Sequence, residues 1–169
     1  MDCLTAIHAR RSIRDFTPEP VSETQLEILL RAAMAAPSAG NAQPWEFVVV
    51  READTRQRVA EIHPYAKMAP KAPLGVLVCG DISREKYPGF WPQDCAAAVQ
   101  NLLLAATAQG LGTVWTGIYP VEERVAMFRT LFNLPERLVP FSFIPVGYPK
   151  EDKPQVDRFD ESRIHFERM

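Results

Sequence analysis

The chain has no apolar run approaching the ~20 residues that a bilayer-spanning helix requires. Its N-terminus, "MDCLTAIHARR", lacks the basic-then-apolar order of a secretory leader, so a soluble, cytoplasmic protein is expected. Cysteine is scarce. Cys3, Cys79 and Cys95 are odd in number, scattered and outside any Cys-x-x-Cys spacing, which supports neither a disulfide framework nor a zinc site. Histidine is equally sparse, with His8, His63 and His165 too dispersed for a metal constellation, so no metal is expected. His63, just before Pro64 in an expected loop, is the one histidine to watch, although a surface role fits it better. Excess charge is missing too: 19 Lys and Arg stand against 21 Asp and Glu, leaving no bulk attraction to nucleic acid or anionic membrane. Any bound anion must therefore be small and locally recognised. Neither a Rossmann fingerprint, a Walker loop nor a Gly-x-Ser-x-Gly elbow occurs, which removes the usual sequence support for those nucleotide sites and for a serine nucleophile.

What is present suits one domain over residues 1–169, since 47% hydrophobic residues are enough to bury a core. A short helix is expected over 2–10 with Asp2 as its cap. A second opens on the capping box Ser22 and Gln25, buries Leu26, Leu29, Leu30 and Ala33 at helical spacing, and ends before Pro37. The β-branched runs at 45–50 and 73–81 read as buried strands flanking a helix over 54–62. Asp94 is placed as the N-cap of a long helix, "CAAAVQNLLLAATAQ", stopped by Gly110; its apolar residues lie on nearly every face, so it wants burial all round. A helix over 121–132 follows. The 138–149 strand is interrupted by prolines and therefore reads as an edge or a bulge. The tail from Lys150 is charged and irregular. Strands and helices do not alternate as in a doubly wound sheet, so the class is α+β.

Three segments hold candidate chemistry. "RRSIR" follows a helix and precedes prolines, so it is expected to be extended, placing Arg10, Ser12 and Arg14 on one side facing an oxyanion. Taken alone, a solvated basic turn fits it better. "APSAGNAQPWEF" is a loop of small and polar residues whose backbone can approach a flat or anionic ligand, or line a subunit interface. "GLGTVWTGIYP" reads either as a strand lying against something planar, with Gly117 allowing close contact, or as a tight turn with Trp115 in the core.

Taken in order, "IHARRSIRDFTPEPVSETQLEILLRAAMAAPSAGNAQPWEFVVV", "KMAPKAPLGVLVCGD" and "DCAAAVQNLLLAATAQGLGTVWTG" resemble the nitroreductase family along nearly the whole chain. The most specific part joins Arg-x-Ser-x-Arg, a helix and Pro-Ser-x-x-Asn-x-Gln-Pro-Trp; the length resembles the compact branch of the family. The resemblance implies a central, mostly antiparallel sheet flanked by helices, in an intertwined homodimer whose 150–169 tail packs on the partner. It also implies FMN shared between two chains. Arg10, Arg11, Ser12 and Arg14 would surround its phosphate and ribityl chain, with Arg14 reaching the pyrimidine edge. Pro37, Ser38, Ala39 and Asn41 would arrive from the partner, Lys67 would lie near N1 and O2, and Trp115, Thr116 and Gly117 would run along the ring system and offer a backbone amide to N5. Arg158, with Lys153 as the alternative, would complete the phosphate site.

By the same resemblance, NADH or NADPH passes hydride to flavin N5, and a nitroaromatic or quinone then takes two electrons by a ping-pong scheme. No protein acid or base is required; Arg14 and Lys67 would stabilise the reduced flavin. Larger members carry a glutamate where Thr116 stands, and an added helical excursion for which this chain has little room. An FMN-binding redox sensor remains an alternative, as do a dehalogenase and a flavin-cleaving enzyme.

Overall fold

In the computed structural model, which describes all of residues 1–169, five strands form one sheet. They are β1 (Trp45–Val50), β2 (Leu74–Asp81), β3 (Gly112–Thr113), β4 (Thr116–Gly117) and β5 (Leu138–Gly147). The order is β1-β2-β5-β3, β4 also pairs with β5, and every ladder is antiparallel. The helices are α1 (Cys3–Ala9), α2 (Glu23–Met34), α3 (Ala53–Ile62), α4 (Trp91–Ala108) and α5 (Glu122–Leu131). This is the α+β class.

Alternation along β2 explains why that strand reads as one apolar run. Val76 and Val78 pack with Leu29 of α2 and Val99 and Leu102 of α4, while Leu77 and Cys79 pack with Val59 of α3 and Phe128 of α5. Both faces are covered, so both parities of the strand must be apolar. No helix is long and apolar enough to cross a membrane.

Local chemistry sets the helix ends. Ser22 and Gln25 form the full capping box of α2, each side chain meeting the other's backbone. At the end of α4, Gly110 adopts φ +74°, its N–H donates to Thr107, and the Leu111 N–H donates to Ala106. That 6→1 and 5→2 pair is a Schellman closure, which glycine permits without a Cβ penalty.

Four expectations need correction. Asp94 is not an N-cap: α4 begins at Trp91, with Pro92 in its first turn, and the Glu85 carboxylate accepts the Phe90 and Trp91 amides. β5 is not an edge, because it pairs on both sides. Its prolines fall where ladders break: Pro140 adjoins the bulge made by Phe141, and Pro145 lies opposite the gap between β3 and β4. His63 is not at the surface; it has no exposure at all. Finally, the 110–120 segment is two two-residue strands and not one.

Candidate functional site

The arginine segment is held against the sheet by its backbone. Ser12 bridges to Thr113, and the Ile13 N–H donates to the Thr113 carbonyl at 2.9 Å. The approach is close enough that a Cβ at Gly112 would fall 2.8 Å from Ile13, so only glycine fits there without displacement. Ile13 and Phe16 then pack with Met68, Ala72 and Val114. One small cluster thus gathers the 10–14, 67–72 and 112–117 segments, three of the stretches named from sequence.

The charges in this region are distributed unevenly. The Arg11 guanidinium donates from Nε to Pro154 O at 2.8 Å and from Nη1 to Arg10 O at 2.7 Å, while Nη2 is buried without a partner. Arg10, Arg11, Arg14 and Arg158 form no ion pair with any carboxylate. Burial, then repulsion by Arg158 and Arg11, pulls the Arg10 pKa below its ordinary value. A cationic cluster under mutual repulsion, with an orphaned N–H, is a donor set that fits a small polyanion such as a phosphate monoester. Lys153 differs: its Nζ donates to Ser12 O at 2.7 Å and lies 3.1 Å from Glu151. Arg14 folds back toward the Ser12 carbonyl at 3.4 Å, and its backbone N–H donates to Glu151 at 2.6 Å.

The 115–117 stretch continues from Thr113 and Val114, which meet Ser12 and Ile13. Trp115 is only partly covered and tilts against Phe141, at 5.6 Å between ring centres, so it is not a core residue. The Thr116 hydroxyl is spent on Phe143 O at 2.6 Å. A Cβ at Gly117 would meet nothing within 4 Å, which leaves its surface open to a flat molecule. The Lys67 ammonium donates to Ala60 O at 2.8 Å, turned toward α3.

Pro37, Ser38, Ala39 and Asn41 stand elsewhere. The Ala39 N–H donates to Asp94 at 2.9 Å, Lys86 donates to Gly40 O at 2.6 Å, and the Ser38 hydroxyl accepts from Gln43 N at 3.0 Å. Gly40, Asn41 and Gln43 all have positive φ, a strained path that these bonds maintain. Arg11 and Ile13 line a cleft with Thr107, near the far end of α4. Asp94 and Thr107 are separated by about 20 Å along that helix. Within one chain the two groups do not meet.

Sequence reasoning missed three residues that shape this region. Asp94 anchors the loop, and His63 and Arg124 both bond to the Gly117 carbonyl, at 2.9 and 3.1 Å. The dense polar loop at 36–47 was a signal that an anchor must exist, but nothing in helical spacing marks Arg124 as its neighbour's partner.

Comparison with known proteins identifies the chain's relatives. The sequence matches the family model described as "Nitroreductase family" over residues 7–73 and 63–148. A Methanothermobacter thermautotrophicus protein bearing the provisional name NADH dehydrogenase/NAD(P)H nitroreductase is 51% identical, over 99% of this chain and 88% of its own. A Parabacteroides distasonis crystal structure with the same provisional name superposes at TM-score 0.95 and 37% identity, covering 99% of this chain and 98% of the other. A Desulfovibrio desulfuricans protein, provisionally a nitroreductase and crystallised in complex with FMN, superposes at TM-score 0.86 and 33% identity over 100% and 98% of the two chains. The chain described here belongs to the nitroreductase family.

Proposed function

We propose that the protein is an FMN-dependent NAD(P)H oxidoreductase that passes two electrons to a nitroaromatic, quinone or similar acceptor. The observation that carries this reading is the cluster of Arg10, Arg11 and Arg158, unanswered by any carboxylate, on a segment whose Ser12 bridges to Thr113 at the start of the run that leads to Gly117. In that reading Arg10, Ser12 and Arg158 bind the phosphate, while Arg11 ties the tail at Pro154 and turns its spare N–H toward the same anion. Arg158 is preferred over Lys153, whose ammonium is already engaged by Ser12 O and Glu151. Arg14 and Lys67 supply positive charge near the pyrimidine edge, for which Lys67 must leave the Ala60 carbonyl. When bound, FMN supplies the atom that accepts and returns hydride.

The same geometry supports a homodimer. The Pro37–Asn41 loop lies about 20 Å along α4 from the arginine segment, so a site using both draws the loop from a second chain. Ala97, Gln100 and Leu104 of α4 form a partly open stripe, Leu4 and Ile7 of α1 are exposed, and the tail beyond Pro154 is exposed throughout, including Phe159 and Phe166. Such apolar surface supports burial against a partner.

The test is anaerobic. Protein loaded with FMN is expected to lose its yellow colour on adding NADH or NADPH and to regain it with a quinone. Colour that persists with both nicotinamides would reject the oxidoreductase in favour of a flavin-binding sensor.

A further inference from the structure

His63 closes α3 and is fully buried. Its two ring nitrogens have partners of opposite kind. Nδ1 lies 3.1 Å from the Tyr65 backbone N–H, which can only donate, and Nε2 lies 2.9 Å from the Gly117 carbonyl oxygen, which can only accept. These partners fix a neutral imidazole with its proton on Nε2. Burial first, and then the charge of Arg124, hold its pKa below the ordinary imidazole value against the opposing Gly117 bond. Arg124 reaches over from α5, donates from Nη1 to the same oxygen at 3.1 Å, and sits 5.2 Å from the centre of the Tyr65 ring. Two side chains from separate elements thus occupy both lone pairs of one backbone carbonyl.

The location of that carbonyl gives the arrangement its meaning. β4 pairs only with β5. In an extended strand the N–H and C=O of one residue leave on the same edge. The Gly117 N–H therefore projects from the edge that His63 and Arg124 hold, away from β5. No strand lies there to receive it, and on the adjoining sheet face a Cβ at Gly117 would meet nothing within 4 Å. The Ile118 N–H, in the same peptide plane as the Gly117 carbonyl, donates to Phe141 O at 3.0 Å, so β5 and the two side chains hold the plane from opposite edges.

We infer that His63 and Arg124 are positioning residues for the flavin: by holding the Gly117 carbonyl, they help to present the Gly117 N–H at the unpaired edge of β4 to the isoalloxazine ring. The inference rests on the FMN reading above. Neither residue touches the cofactor in this role; both act through the strand.

FMN affinity of the apoprotein, measured by quenching of FMN fluorescence, and the midpoint potential of the bound flavin test it. His63→Phe keeps an aromatic ring beside Phe128 but removes the donor, and Arg124→Met keeps the stem but removes the guanidinium. Each is expected to bind FMN roughly five- to tenfold more weakly, as for the loss of one buried hydrogen bond, and to shift the potential. Arg124→Lys, which retains a donor, should recover most of the affinity. Because Arg124 lies on an outer helix, its variants remain informative if His63→Phe folds poorly. Unchanged affinity and potential in Arg124→Met would overturn the inference while leaving the FMN reading intact. Wild-type protein that binds no FMN would overturn both.

Discussion

At one end of the sheet, Arg84 lies 3.0 Å from Glu46 and 3.7 Å from Asp81, and Arg137 lies 3.3 Å from the same aspartate. At the other, Arg10, Arg11 and Arg158 have only each other and backbone carbonyls. Both groups are basic, and both sit where loops leave strands or helices. The first is complete within the chain: Asp81 also accepts from Ser83 N at 3.0 Å and Ser83 Oγ at 2.6 Å, so its buried carboxylate is fully matched. The second holds positive charge under repulsion and an orphaned N–H. Balanced charge serves the fold, and unbalanced charge implies a ligand.

The largest break of that comparison is expected at the unbalanced end. Arg10→Ala combined with Arg158→Ala should weaken FMN binding by roughly a hundredfold or more, since two charge-assisted bonds are lost. The melting temperature of the apoprotein should hold or rise, because the repulsion is relieved. A stable double variant with wild-type FMN affinity in fluorescence titration would place the phosphate elsewhere.

At the balanced end the pattern should invert. Asp81→Ala is expected to cost about 2 kcal/mol in urea unfolding, by leaving Arg137 without its carboxylate, Arg84 with Glu46 alone and the Ser83 donors unmatched, with FMN affinity little changed. Burial raises the Asp81 pKa, but the Ser83 bonds and Arg137 together outweigh it and leave the carboxyl below its ordinary value. Its contribution is therefore present above the unfolded carboxylate value and is lost as pH falls. The stability gap between wild type and Asp81→Asn should close below about pH 4. A gap that widens in acid would reverse this sign.

A smaller effect is expected at Asp94, which joins α4 to the loop at Ala39. Asp94→Ala should weaken FMN binding by roughly five- to tenfold through loss of one bond to a charged acceptor, whereas Asp94→Asn keeps an acceptor oxygen and should stay near wild type. Equal affinity in Asp94→Ala would show that the loop's path does not depend on that carboxylate.

Much of the fold is legible in the sequence because its signals are local. The Ser22 capping box, the Gly110 stop and the apolar runs at 45–50 and 73–81 each act within a few residues, and the structure has α2, the end of α4, β1 and β2 at those places. Prolines misled at β5, since a proline warns of a missing ladder bond but does not say that a bulge and a broken neighbour will absorb it. Asp94 misled for a similar reason: a carboxylate before an apolar run looks like a cap, although its actual partner, Ala39, is 55 residues away.

By itself, the sequence determined most of the elements, their class and three candidate segments, because capping, alternation and turn preference are written in neighbouring residues. Only the tertiary structure decided which charges are answered, that His63 is buried against Gly117, and that the Pro37–Asn41 loop stands at the opposite end of α4 from the arginines. Those outcomes depend on contacts between distant residues, and no local preference encodes which distant carbonyl a histidine will meet.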